Sequence, residues 1–184
     1  MDKGADSYRK FLDGDREGMA ELVHEYREGL TFYLYRITNN IDTAEELMEE
    51  TFAKIYAKKP NFSGRSSFKT WLYSIGRNTA LNIFRHRRWM SDKSIDDCLQ
   101  YPDGSDIEAA YIRKEQYALV HKSLGKLKTD YRQVIYLVYF EDFSNEDAGR
   151  IMGKSKRQIE TMLYRAKKAL RSEFEKEGLG NEEL

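Results

Sequence analysis

The stretch "FSGRSSFKTWLYSIGRNTALNIFRHRRW", residues 62–89, decides how this chain is read. It contains no acid, ends in clustered arginines, and spaces aromatic residues and asparagines along a helical period. Ser67 stands as an N-cap, and Phe68, Leu72, Ile75 and Ile83 share a face with Ala80 beside it, which makes that face a core face. A second stripe, Trp71, Ser74, Asn78, Asn82 and Arg85, follows at offsets of three, seven, eleven and fourteen. Asparagine lowers helix propensity, so a cluster of asparagines with no cap to make needs a use. Amides can bond base edges, aromatic rings can stack on unpaired bases, and Arg85, Arg87 and Arg88 can neutralise phosphates. The combination suits single-stranded nucleic acid better than duplex alone. Burial is the competing reading for Trp71, and plain solvation for the arginines.

Charge along the rest of the chain supports the binding reading. The formal net charge is zero, yet residues 61–93 hold 7 Lys+Arg against 1 Asp+Glu, while residues 1–60 hold 9 against 13. Residues 94–116 are acidic again, 2 against 6, and residues 150–171 return to basic, 8 against 1. Two basic islands on acidic ground fit two contacts with a polyanion, leaving an acidic surface for another partner.

Elsewhere the apolar residues recur at helical spacing, and strand-type alternation is scarce, which predicts an all-α chain. One helix spans about Asp15 to Thr38 with Met19, Leu22, Val23, Tyr26, Leu30, Tyr33 and Leu34 inward. After "NNID", Asp42 reads as an N-cap with Glu45 three residues on. The helix that follows, to about Lys58, turns Ala44, Leu47, Met48, Phe52, Ile55 and Tyr56 to a core and Glu45, Glu46, Glu49 and Glu50 outward. The text from Met90 to Ser105 loses its period and carries Pro102, which marks an acidic linker. Helices resume near Asp106, and Thr129 or Asp130 is expected to cap a run through Phe140. The expected organisation is two small helical domains, 1–91 and 109–184, joined by a flexible acidic linker at 92–108.

The last two elements form a helix-turn-helix. Ser144 opens "SNEDAGRIM", "GK" turns, and Ser155 with Gln158 makes a capping box for a longer helix. There Ile159, Met162, Leu163, Ala166 and Leu170 form one apolar stripe. Arg157, Glu160, Thr161 and Arg165 are candidates for base readout, and Lys154, Lys156, Lys168 and Arg171 for phosphate contact. A basic amphipathic helix in an ordinary bundle is the competing reading.

Other classes are poorly served. His24, His86 and His121 are scattered and no metal-ligand spacing, nucleophile elbow or phosphate loop appears, so neither an enzyme nor a cofactor is expected. The single cysteine, Cys98, and the lack of an early apolar run fit a cytoplasmic protein. The longest apolar run, 134–140, is too short to enter a bilayer as a span.

These residues together resemble bacterial RNA polymerase sigma factors of the extracytoplasmic-function type, which keep only regions 2 and 4. "DTAEELMEETFAKIY" (42–56) is similar to region 2.2, "FSGRSSFKTWLYSIGRNTALNIFR" (62–85) to regions 2.3 and 2.4, and residues 127–170 to region 4. The resemblance implies that Glu46, Glu49 and Glu50 dock on the β′ clamp helices of core RNA polymerase. It implies that Phe62, Ser63, Gly64, Arg65, Ser66 and Phe68, with Trp71, Asn78, Asn82, Arg85 and Arg88, engage the −10 element. There a flipped base would be captured. Ser155, Lys156, Arg157, Glu160, Thr161, Tyr164, Arg165 and Lys168 would read the −35 duplex, with region 4 also touching the β flap. An anti-sigma factor is the further partner implied. The recognition helix departs from the family: an acid, Glu160, and an apolar Met162 stand where basic residues are common, and Gly149 replaces a common alanine. "LPP" reads Leu127-Lys128-Thr129. A two-domain helix-turn-helix regulator that never joins the polymerase is the alternative; it has no use for the Trp71–Asn78–Arg85 stripe.

Overall fold

The computed structural model describes residues 2–91 and 123–176, with side chains in the first span described as far as Arg85. The linker expected at 92–108, the helix expected to resume near Asp106, and the side chains of Arg87 and Arg88 lie outside the described residues. All regular structure among the described residues is helical.

Four helices and their caps build the described N-terminal half. Helix α1 (Lys3–Leu12) was not anticipated; α2 (Arg16–Thr38), α3 (Ile41–Lys58) and α4 (Phe68–Ser91) were. Asp15 caps α2 by accepting from the Glu17 N–H at 2.9 Å. Asn39, in the left-handed region at φ 52°, closes it. The α3 cap is Asn40, not Asp42: its Oδ1 accepts from the Thr43 N–H at 2.8 Å. Asn39 and Asn40 thus end one helix and begin the next with no residue between them, so Asp42 is already inside the first turn. There its charge still complements the helix dipole.

Met19, Leu22, Leu30, Tyr33, Leu34, Leu47, Ile55, Phe68, Leu72 and Phe84 interlock as the core of this half. Tyr56 is a correction: it is 50% exposed. It sits one position past the α3 core stripe and leans on the Phe11 ring of α1, centroids 5.3 Å apart.

In the C-terminal half, helix α5 (Thr129–Ile135) runs straight into a π-helical segment, Tyr136–Phe140, then α6 (Asn145–Met152) and α7 (Lys156–Lys176). The expected caps at Thr129 or Asp130 do not form; Lys128 holds the N-cap position without a side-chain bond. Thr129 Oγ1 instead accepts from Arg132 Nη2 at 3.1 Å.

The two halves pack directly on each other, α5 against α2 and α6 against α4. Their buried side chains form one continuous cluster. A polar seam runs through it. Arg132, 5% exposed, donates from Nε to the Arg36 carbonyl at 3.0 Å and from Nη1 to the carbonyls of Gly125 and Leu127. Gln133 Oε1 accepts from the Tyr33 hydroxyl at 3.2 Å and from Arg77 Nε at 3.1 Å. Burial and the nearby Arg36 guanidinium push the Arg132 pKa down. Donation to three carbonyls, one in the last turn of α2, and to the Thr129 hydroxyl offsets that desolvation.

Candidate nucleic-acid interface

The loop at 60–67 is laid over an aromatic floor. Phe68 is fully buried, with ring centroids 5.4 Å from Tyr8, 5.8 Å from Tyr26, 5.7 Å from Phe62 and 5.3 Å from Trp71. Trp71 is half-buried and also meets Tyr8 and Phe62 at 5.3 Å. Aromatic pairs at these separations add to the apolar burial beneath the loop. The Tyr8 hydroxyl donates to the Pro60 carbonyl at 2.7 Å, pinning the point where the chain leaves α3.

The first turn of α4 is capped twice. Ser67 Oγ accepts from the Thr70 N–H at 3.1 Å, as its position before the helix suggests. Asp2 Oδ2 accepts from the Phe68 N–H at 2.6 Å, while Asp2 Oδ1 accepts from the Ala5 N–H at 3.3 Å. One carboxylate therefore serves two helix N-termini. Sequence reasoning missed it, because 66 residues separate the partners.

This construction sorts the −10 candidates into two groups. Ser63, Gly64 and Arg65 are exposed, Phe62 and Ser66 half-buried, and Phe68 belongs to the core, with no ring surface to offer. Trp71 lies in between: most of its contact is with the floor. Farther along α4, Asn78, Asn82 and Arg85 are exposed on one face. From Asn78 to Arg85 the helix rises about 10 Å, comparable to a few nucleotides. Ser74, the remaining member of the stripe, turns its hydroxyl to the Thr70 carbonyl at 2.8 Å.

The acidic face lies on α3, the neighbour of α4. Glu45, Glu46 and Glu49 are exposed. Glu50 is partly buried and pairs with Lys54 at 2.6 Å, and Lys54 Nζ reaches Thr79 Oγ1 of α4 at 3.5 Å. Glu50 thus helps join α3 to α4, whereas Glu46 and Glu49 face outward.

The helix-turn-helix is α6 and α7. Ser144 Oγ accepts from the Asp147 N–H at 3.1 Å to start α6. The capping box before α7 is reciprocal: the Ser155 N–H donates to Gln158 Oε1 at 2.8 Å, and the Gln158 N–H donates to Ser155 Oγ at 3.3 Å. Gly149 has a structural reason, since a Cβ there would lie 2.6 Å from the Lys154 carbonyl oxygen. The turn can therefore close tightly on α6. Ile159, Leu163 and Ala166 are buried and Met162 and Leu170 half-buried, as the stripe requires.

Every −35 candidate is exposed: Ser155 just before α7, and Lys156, Arg157, Glu160, Thr161, Tyr164, Arg165 and Lys168 on it. Thr161 spends its hydroxyl on the Arg157 carbonyl at 2.9 Å. Arg157, Gln158, Thr161 and Arg165 border a groove of about 370 Å³, closed on the other side by Tyr131 and Lys154. Tyr131 and Gln158 are additions to the expected set; Tyr131 lies on α5, away from the recognition helix, and Gln158 was read only as a capping residue.

The start of α4 is also covered by the C-terminal half. Lys69 Nζ pairs with Glu141 Oε2 at 2.8 Å, the Tyr73 hydroxyl donates to the same oxygen at 2.8 Å, and Thr70 Oγ1 donates to Asp147 Oδ1 at 3.2 Å. Arg150 Nη1 donates to the Arg65 carbonyl at 2.7 Å. Burial, then the Glu141 charge, raises the Tyr73 hydroxyl far above its ordinary value, so it remains a donor at any ordinary pH.

The families of known proteins agree with this geometry. The chain matches Sigma-70 region 2 over residues 22–90 and Sigma-70 region 4 over residues 117–170. It is 32% identical over 167 residues to the RNA polymerase sigma-H factor of Pseudomonas aeruginosa, covering 85% of this chain and 86% of that one. To the ECF RNA polymerase sigma factor SigW of Bacillus subtilis it is 28% identical over 172 residues, covering 88% and 91%. Its fold is similar to that of the sigma factor RpoE solved with the anti-sigma factor NepR from Bartonella quintana. The TM-score there is 0.71 at 26% identity, over 85% of this chain and 96% of that one. With an exposed amide-and-arginine face on α4, a capped recognition helix at α7 and both regions matched in order, the chain belongs to the sigma-70 family, as a sigma factor of the extracytoplasmic-function type.

Proposed function

We propose that the chain joins core RNA polymerase through Glu46 and Glu49, with Glu50 bracing α3 on α4, and directs the enzyme to promoters whose −10 strands it holds apart. The observation that carries this reading is the exposed line Asn78, Asn82, Arg85 beyond the loop 62–66, one helix away from the glutamates. Amides offer donors and acceptors to a base edge, and Arg85, Arg65 and Arg88 supply charge to the strand. Phe68 and Trp71 act from below: they fix the loop so that its exposed backbone and the Ser63 and Ser66 hydroxyls can form a pocket for a flipped base. Flipping costs a few kcal/mol, which pocket contacts and phosphate neutralisation offset.

Region 4 reads the −35 duplex along the groove bounded by Arg157, Gln158, Thr161 and Arg165, with Lys156 and Lys168 on phosphates. Glu160 in that line favours a cytosine amino group over a guanine edge. Residues 1–91 and 109–184 act as the two binding domains on either side of the linker at 92–108, with region 4 on the β flap. The chain itself supplies binding and strand separation and no catalytic step, in the cytoplasm where the polymerase works. An anti-sigma protein is the regulator that this reading implies.

Run-off transcription with purified core polymerase and a promoter library tests the proposal. Transcripts should begin at defined sites only when the chain is present. Reversing Glu46 and Glu49 to lysine should abolish holoenzyme assembly, and Asn78→Ala should leave assembly intact while strand opening, followed by permanganate reactivity, drops at least tenfold. Duplex binding with no association with core polymerase would instead make the chain a free-standing regulator.

A further inference from the structure

Glu141 follows the π-helical segment and precedes Asp142, whose φ of 56° turns the chain sharply. The result is that Glu141 and Phe143 both point at region 2. The Glu141 carboxylate enters a notch between the halves with four walls, three from region 2 and one from Tyr136 of its own half. Lys69 Nζ lies 2.8 Å from Oε2 and donates to the Glu141 backbone carbonyl at 3.0 Å. The Tyr73 hydroxyl donates to Oε2, and the Tyr136 hydroxyl donates to Oε1 at 3.1 Å. The fourth wall is Gly29 of α2, where a Cβ would lie 2.7 Å from Oε1 and would also collide with the Tyr73 hydroxyl. Any side chain at 29 would fill the space that the carboxylate occupies. Phe143 seals the edge, ring centroid 5.1 Å from Tyr73, with Lys69 Nζ 4.9 Å above its face.

From this geometry we infer that Glu141 is an intramolecular latch: it holds the helix-turn-helix on the start of α4 and keeps the −10 loop closed to single-stranded nucleic acid. Three features support the inhibitory sense. The latch neutralises Lys69, a cation in the first turn of the helix that carries Asn78 and Arg85. It seats α6 so that Asp147 holds Thr70 and Arg150 grips the Arg65 carbonyl in the loop itself. It also sets the Glu141 and Asp147 carboxylates against Lys69 and Thr70 in the first turn of α4, where their charge repels a phosphate. Charge-assisted bonds of this kind are the strong members of their class; the Tyr73 and Tyr136 partners are buried, and Lys69 is partly exposed. The inhibitory sense rests on the proposed role of the loop; the latch itself does not.

Two variants enter the notch from opposite sides. Glu141→Gln keeps the shape and removes the charge. Gly29→Ala raises the helix propensity of α2 but crowds both the carboxylate and the buried Tyr73 hydroxyl, so its fold is checked beside that of the isosteric Glu141→Gln. In the full-length chain with Cys98→Ser, labels at Asp13→Cys and Ser172→Cys report the separation of the halves by energy transfer. A fluorescent single strand of roughly 12 nucleotides of mixed sequence reports access to the loop. Both variants should lower the transfer efficiency and bind the strand about tenfold more tightly, an effect equal to moving a mostly closed population to an open one. Unchanged transfer in both variants, each folded by circular dichroism, overturns the latch. Lower transfer with unchanged strand affinity overturns its inhibitory role. Strand binding that strengthens in variants while core polymerase association stays absent supports the latch and removes the sigma-factor reading of the loop.

Discussion

The first turns of α4 and α7 solve the same problem in different ways. Each begins a helix that follows a loop, and in the proposed function each presents polar side chains to a nucleic acid. At α7 the solution is local: Ser155 and Gln158 satisfy each other's N–H groups within four residues, and the side chains around them stay in water. At α4 the solution is assembled from the whole molecule: Asp2 and Ser67 cap it, Tyr8 and Phe62 underlie it, and Asp147 and Glu141 press on it from region 4. A duplex groove is a fixed shape, so the element that reads it needs only to be rigid and exposed. A single strand has no shape of its own, and the protein must supply one. If the loop binds such a strand as proposed, that requirement accounts for the aromatic side chains packed beneath it.

The comparison breaks most severely at high pH. Tyr33, Tyr73 and Tyr136 lie at the seam and Tyr26 lies beneath the loop; burial raises all four above the ordinary value of 10.0, Tyr26 to about 12. Glu141 adds to the rise at Tyr73 and Tyr136. The unfolded chain therefore loses these protons first as pH rises. Stability from the buried neutral hydroxyls is complete below about pH 10 and declines above it, toward the raised folded values. Urea midpoints measured from pH 8 to pH 11 should fall steeply past 10, and energy transfer across the seam should fall with them. A flat profile would mean that the tyrosines are less withdrawn from water than the seam geometry requires.

Next in size is Phe68→Ala. The ring is fully buried among four other aromatic side chains, so the change should lose about 3–5 kcal/mol of stability, measured by equilibrium unfolding. The equivalent truncation on the α7 side, Tyr164→Ala, should cost less than about 0.5 kcal/mol, because that ring is 70% exposed. Similar losses at the two positions would erase the distinction between an assembled surface and a free-standing one.

What the sequence disclosed follows the same division. The extents of α2, α3, α6 and α7, the Ser67, Ser144 and Ser155 caps, and the exposure of every −35 candidate depend on residues a few positions apart, and periodicity shows them. The α1 helix escaped notice because ten residues with only Tyr8 and Phe11 as bulky anchors leave too short a stripe to recognise. Tyr56 was misplaced because it lies one position past Ile55 at the edge of the α3 stripe, where its ring only rests against Phe11. The run from Thr129 to Phe140 looked like one α-helix. Its π-helical end is stabilised by contacts with α2, and the resulting rotation, which aims Glu141 at Gly29, has no local signature. Nor could spacing show Tyr33 meeting Gln133, 100 residues away. In the −10 set, stripe arithmetic put Trp71 with Asn78, but only tertiary packing shows that the aromatic end of the stripe is a floor and the amide end a face.

The finest separation of the two designs is between their caps. Asp2→Ala removes an acceptor shared by the Ala5 and Phe68 N–H groups, the second at 2.6 Å and partly buried. It should cost about 2 kcal/mol, the upper end for a cap, and should loosen both α1 and the start of α4. Ser155→Ala removes one bond at 3.3 Å from an exposed N–H that water can satisfy instead. Its cost should be about 0.5–1 kcal/mol, confined to α7. Amide hydrogen exchange resolves the two: faster exchange at Ala5, Phe68 and Thr70 in the first variant, and at Gln158 alone in the second. If Ser155→Ala also accelerated exchange at the start of α4, the recognition helix would be coupled to the loop through α6, and its capping could no longer be treated as local.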